Sequence, residues 1–168
     1  MTLGAKLNNP GNIKSGPIPI WQGQIGTEKG FARFSSPLWG VRAGLKLLVN
    51  YHKKGFNNLR KILDRYAPNH GTTTYLNFLV ERTGISPDQV FSPTPENFKK
   101  IFSGIMVFEI GKTDSEKFQK ELDQAWMALN DSDVNFLALT PILNYILSGG
   151  LLLGGIFVLL NLINKLRK

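Results

Sequence analysis

"TPENFKKIFSGIMVFEIG" (Thr94–Gly111) has both ends of an α-helix written into it. Thr94 is a favoured N-cap type, and Pro95 brings the fixed φ suited to a first helical position. Glu96 falls in the first turn, where the helix dipole favours negative charge. Gly111 supplies the stop. Between these ends Phe98, Ile101, Phe102, Ile105 and Phe108 recur at helical spacing. So wide an apolar face predicts the central buried helix of a domain.

Other helices are predicted around it. "SSPLWGVRAGLKLLVNYHKKG" (Ser35–Gly55) has Ser36 as cap, Pro37 at the first position and a stripe of Leu38, Val41, Leu45 and Leu48. A short helix follows over about Asn58–Tyr66, with Leu59, Ile62, Leu63 and Tyr66 on one side, and stops before Pro68. "TTTYLNFLVERTG" starts from a threonine cap and ends at Gly84. "DSEKFQKELDQAWMALN" (Asp114–Asn130) reads as one more helix, with Phe118, Leu122, Trp126 and Leu129 inward. Upstream, "IPIWQGQIGTEKGFARF" (Ile18–Phe34) alternates apolar residues between glycines and predicts a β-hairpin. The expectation is a mainly α domain with a small β-hairpin over residues 1–130, large enough to bury a core without metals or disulfides.

The remainder differs in kind. A polar linker is expected over residues 131–141. From Ile142 to Ile163, "ILNYILSGGLLLGGIFVLLNLI" contains no charge and exceeds the ~20 residues that cross a bilayer as a helix. A C-terminal single transmembrane helix over 142–163 and a basic tail over 164–168 are therefore expected. The basic tail places the soluble domain on the opposite side of the membrane. "MTLGAKLNN" at the N-terminus has no apolar run of the secretory type.

Composition narrows the chemistry. The 168 residues include no cysteine and two histidines, which excludes a disulfide framework and thiolate metal sites. There is no HExxH zinc pattern, no G-x-S-x-G and no phosphate loop, so neither metal nor cofactor is expected. The net charge of +8 is uneven, because Lys29–Arg65 is rich in Lys and Arg with a single acid, Asp64. Such a face attracts polyanions: nucleic acid, anionic lipid or an anionic cell-wall polymer.

Carboxylates and amides are left as the reactive groups. Glu109 sits between Phe108 and Ile110 at the C-terminal end of the most apolar helix. Apolar neighbours and the negative end of the helix dipole both disfavour a charged carboxylate. That is the setting of a general acid for glycoside cleavage, although a helix-end glutamate pointing to water would look the same. Glu28, in "GQIGTEKGF", is a turn residue or a second carboxylate across a cleft. Trp21 and Phe31 offer flat faces of the kind that bind sugar rings, with core packing as the commoner fate. In "NNPGNIK" (Asn8–Lys14), Pro10 and Gly11 account for a turn. The amides of Asn9 and Asn12 then either cap neighbouring backbone or bind a sugar.

Taken in order, "NNPGNIK", "WQGQIG", "GFARFSSPLWGVRAGLKLL" and "APNHGTTTYLNFLVERTGISPD" resemble the lysozyme-like peptidoglycan-degrading proteins of bacteriophage virions and prophages. The resemblance runs from about Asn8 to Gly111. It implies a lysozyme-like α+β fold and a catalytic glutamate at Glu109, with Ile110 standing where that family has Asn. A looser similarity to flagellar-type glucosaminidases implies the same site in a rearranged chain order, with Asn9, Asn12 and Glu28 facing Glu109. The implied activity is that of a lytic transglycosylase or muramidase cleaving β-1,4 bonds between amino sugars. Peptidoglycan, a lipid membrane and virion proteins are the implied partners, in a virion internal membrane or the host inner membrane. The rival reading is a non-catalytic virion membrane protein that serves structure or wall binding. Specific nucleic-acid binding is not expected, since no recognition helix or aromatic-basic pattern is present.

Overall fold

The structure, a computed structural model, describes residues 1–15, 20–68 and 72–129. Its elements run α1 (Leu3–Lys6), β1 (Gln24–Glu28), β2 (Phe31–Phe34), α2 (Pro37–Lys53), α3 (Leu59–Tyr66), α4 (Thr72–Thr83), α5 (Pro95–Ile110), α6 (Lys112–Gln119) and α7 (Leu122–Met127).

Helix α5 is the axis of the fold. The Thr94 side chain accepts from the Asn97 amide, and Gly111 closes the other end at a φ of 77°. Phe98, Ile101, Phe102, Ile105 and Met106 are fully buried, and α1, α2, α4, α6 and α7 all pack against this helix. Phe108 departs from the expected face: it is 38% exposed and stacks on Tyr75 with centroids 3.7 Å apart. At 3.6 residues per turn it falls at the margin of the stripe centred on Phe98, Phe102 and Ile105.

Helix α2 crosses α5 closely because of where its glycines fall. A Cβ on Gly44 would lie 1.9 Å from the Phe102 ring, and one on Gly40 would lie 1.7 Å from the Asn8 carbonyl oxygen. Glycine weakens a helix interior by ~1 kcal/mol relative to alanine. Here it admits an aromatic ring on one turn and a loop backbone on the turn before.

Strands β1 and β2 form one antiparallel pair; of the hairpin expected over Ile18–Phe34, residues 20–23 precede the first strand and residues 18–19 lie outside the described residues. Their two-residue turn, Lys29–Gly30, has both φ angles positive (51° and 80°), as a type I′ hairpin requires. The chain from Ile13 to Ser15 runs beside β2, with Ala32 N donating to Ile13 O at 2.9 Å and Ser15 N to Gly30 O at 3.0 Å. Ile13, Ala32, Phe34 and Ala43 form a small core here, with Trp21, Trp39 and Leu47 packed on it.

The single helix expected over Asp114–Asn130 is two. Lys120 and Glu121 form a tight turn in which Glu121 N bonds to Phe118 O at 3.0 Å, and the chain then restarts as α7. The bend takes the chain from α5, against which α6 packs, to α2, against which α7 packs. Arg42 Nε on α2 fastens the end of α7 through the Ala128 carbonyl at 2.9 Å.

The fold class expected from the sequence included a C-terminal transmembrane helix, and that class is corrected. The architecture is mainly helical with a two-stranded hairpin, and no helix among the described residues is long and apolar enough to cross a membrane. The longest described helix, α2, has 17 residues and carries Arg42, Lys46 and Lys53, short of the ~20 mostly apolar residues a span needs. The linker, span and tail read over residues 131–168 lie outside the described residues.

Candidate functional site

Glu109 follows Ile105 by four residues and Phe102 by seven, so the helix period carries it onto the buried face of α5 at its last turn. There the core opens into a cleft, and the carboxylate is half-buried on its wall. The cleft has a volume of about 430 Å³, within the range of small-molecule sites. The turn after α1 contributes Gly11, Asn12, Ile13 and Lys14. Trp21 and Phe31 come from the hairpin region, Leu47 and Tyr51 from α2, and Arg65 through Pro68 from α3 and its end.

Both carboxylate oxygens of Glu109 are held. Asn12 Nδ2 donates to Oε2 at 2.9 Å, across 97 residues of sequence. The Tyr75 hydroxyl donates to Oε1 at 3.0 Å. The surroundings are therefore less apolar than the flanking residues suggest: two donors from two other elements fix the plane of the carboxylate. Tyr75 is 1% exposed, and burial, then the neighbouring Tyr66 and Glu109, push its phenol far upward. Tyr66 is raised well above the usual phenol range by burial first and then by Glu109 and Tyr51. Its hydroxyl donates to the Gly11 carbonyl. Both phenols thus stay protonated and act as fixed donors.

The turn "NNPGNIK" divides its amides between two jobs. Asn9 is fully buried. Its Nδ2 donates to Ile13 O and Ala32 O, both at 2.9 Å, and its Oδ1 accepts from Ile13 N at 2.8 Å. These bonds use its amide on the loop and β2, and Asn9 is not among the cleft-lining residues. Asn8 Nδ2 bonds the Phe34 carbonyl at 3.1 Å. Asn12, at a φ of 47°, is the amide that faces Glu109.

Of the residues singled out from sequence, Asn12, Trp21, Phe31 and Glu109 meet around one cleft. Asn9 supports it from behind. Glu28 stands apart: it is exposed at the last position of β1, beside the Lys29–Gly30 turn, and is not among the cleft-lining residues. The I′ turn places it at the hairpin tip, where the sequence left a turn residue and a second carboxylate as alternatives.

Four contributors escape a reading by segment. Tyr66 reads as a helix-face residue and Tyr75 is not singled out by its segment, although a phenol that turns inward needs a partner and this is the signal that finds them. Arg65 reads only as the end of the basic Lys29–Arg65 stretch, with nothing local to aim it at Glu109's cleft. Gln24 is 8% exposed, and its Oε1 accepts from the Ile20 and Trp21 amides at 3.1 and 3.3 Å, fixing the segment that carries Trp21. The Trp21 Nε1 itself is buried without a partner among the described residues. Among those residues no group of His, Asp and Glu has the arrangement of a metal site.

The chain is 32% identical over 115 residues to Protein P5 of Pseudoalteromonas phage PM2, an alignment covering 64% of this chain and 71% of that protein. No family model matches.

Proposed function

The chain belongs to the family of the Pseudoalteromonas phage PM2 protein P5, and from that premise we propose that it is a viral enzyme cleaving the β-1,4 glycosidic bonds between amino sugars in peptidoglycan. The relative's name specifies no activity, so the reading rests on the cleft. The observation that carries it is one carboxyl, Glu109, held through both oxygens by Asn12 and Tyr75 on the wall of a cleft that also presents Trp21 and Phe31. Flat aromatic faces suit the apolar faces of sugar rings, and a positioned carboxylic acid suits protonation of a glycosidic oxygen.

Glu109 is the only carboxyl among the described cleft-lining residues. A mechanism with two carboxylates needs a pair roughly 5–9.5 Å apart flanking the bond, and Glu28 at the hairpin tip does not line the cleft. The lytic transglycosylase route needs a single group. Glu109 gives its proton to the bridging oxygen as the C1–O bond breaks. The same carboxylate then takes the proton of the sugar's own C6 hydroxyl as that oxygen bonds to C1, closing an anhydro ring. The proton lost in the first half is regained in the second, and no water is consumed. Asn12 and Tyr75 act as positioning residues, keeping the carboxyl in one plane through both halves.

The test is clearing of purified peptidoglycan by the full chain, with mass analysis of the products. Anhydro-sugar ends lighter by one water are expected, whereas reducing ends of full mass would indicate a muramidase with water as nucleophile. Glu109→Gln is expected to lower the rate by ~10²–10⁴-fold, the usual worth of a general acid. A wild-type chain inert on every wall type, yet still binding it, would replace this reading with that of a wall-binding virion protein.

A further inference from the structure

Two cations in the cleft have no part in holding Glu109. Lys14 is the last residue of "NNPGNIK", and Arg65 lies in the last turn of α3; both line the cavity and both are exposed. Neither is ion-paired with a described residue. Other cations are committed elsewhere, as Arg60 is to Asp88 at 2.8 Å and Lys99 to Asp123 at 2.5 Å. With Glu109 as the only carboxyl among the described lining residues, that lining has net positive charge whether the group is ionised or protonated. A cavity built to take neutral sugar rings alone has no use for two uncommitted cations on different walls.

We propose that Lys14 and Arg65 form an anion-recognising part of the cleft that reads a carboxylate carried on the glycan strand, so that the enzyme selects acid-bearing amino sugars over neutral ones. This rests on the glycan-cleavage reading above. A guanidinium offers two parallel N–H donors to a carboxylate, and an ammonium on a flexible stem adds a mobile point charge, so both chemistries favour a carboxylate over a neutral group. A field confined to the cleft also differs from the general attraction of a basic protein for an anionic wall. Recognition in the cleft depends on two residues; steering depends on net charge wherever it sits.

Two sources supply such a carboxylate: the free acid of a lactyl ether on a peptide-free glycan, and the carboxylates of an attached stem peptide. The experiment is a tryptophan-fluorescence titration of the full chain with four short glycans. These are a neutral chito-oligosaccharide, a peptide-free muramyl glycan, the same glycan with its carboxyls amidated, and a peptide-bearing glycan. The expected result is binding of the free-acid glycan ~3–10-fold tighter than its amide, the size of a charge-assisted contact at a part-exposed site. That preference should fall toward unity in Lys14→Gln and Arg65→Gln and be partly kept in Arg65→Lys. Lys100→Gln, an exposed charge on α5 outside the cleft, should keep the wild-type ratio. Tightest binding of the peptide-bearing glycan would assign the carboxylate to the peptide, and of the peptide-free glycan to the lactyl group.

Equal affinity for acid and amide, or an equal loss of preference in Lys100→Gln, would overturn the inference while leaving glycan cleavage intact. No binding of any glycan would overturn both.

Discussion

Gly40→Ala tests whether the turn that lines the cleft is set by a backbone contact outside the lining residues. The added Cβ would lie 1.7 Å from the Asn8 carbonyl oxygen, 2.9 Å from its carbon and 3.1 Å from Pro10 Cδ. Real Cβ contacts essentially never fall below 3.0 Å, so the carbonyl would have to retreat by more than an ångström. A rotamer change cannot relieve this, because the obstructing atom is backbone. Alanine in place of glycine gains ~1 kcal/mol of helix propensity, against ~1–3 kcal/mol or more for forcing volume into a packed site. We expect a net loss of about 2 kcal/mol, read as a lower urea midpoint at unchanged slope. Activity should fall further than stability explains. Asn8 begins the turn that carries Asn12 to Glu109, and a misplacement of about 1 Å near reacting groups costs up to ~10²-fold. Gly26→Ala is the control, with nothing within 4 Å of its added Cβ. A Gly40→Ala protein as stable and as active as wild type would refute the contact between α2 and the turn.

Further outcomes are expected. Asn9→Ala takes the buried amide away from Ile13 N and Ala32 O, while Ile13 O keeps the Ala32 amide, and should cost ~2–4 kcal/mol in urea unfolding. Tyr75→Phe keeps the ring stacked on Phe108 but removes the donor to Glu109; the rate should drop ~10–100-fold, while stability changes by about 1 kcal/mol or less. His52 has its pKa lowered from 6.5, by burial first and against the Phe91 carbonyl that its Nε2 donates to at 3.2 Å. Its contribution to stability is complete above pH 6.5 and is lost as pH falls from there through the lowered folded value. The urea midpoint should therefore decline from pH 7.5 to 5.5, and less steeply in His52→Gln.

Local signals fared best where one residue settles one backbone choice. Thr94, Pro95 and Gly111 mark α5 to within a residue, because caps act through adjacent atoms. The break between α6 and α7 has no such marker: Lys120 and Glu121 are good helix formers, and the turn follows from packing on α5 and then α2. Helix α1, four residues long, is too short to show a period. In the cleft, the position of Glu109 was legible because an acid interrupts an apolar run. The division of labour between Asn9 and Asn12 was not, since adjacent turn amides differ only in where the fold aims them. Glu28 left two readings open for the same reason. A carboxylate in a glycine-rich hairpin has the same local sequence at the tip as it would in a cleft.

The hydrogen bond between Asn12 and Glu109 also constrains the order of events during synthesis. The amide leaves the ribosome early, and its carboxylate partner is added 97 residues later. Helix α2, which supports the turn through Gly40, lies between them in the chain. Long-range closures of this kind come late in folding, because loop entropy must be overcome before the contact forms. A nascent chain can assemble its hairpin and first long helix and still lack one wall of its cleft. The last turn of α5 is the step that closes it.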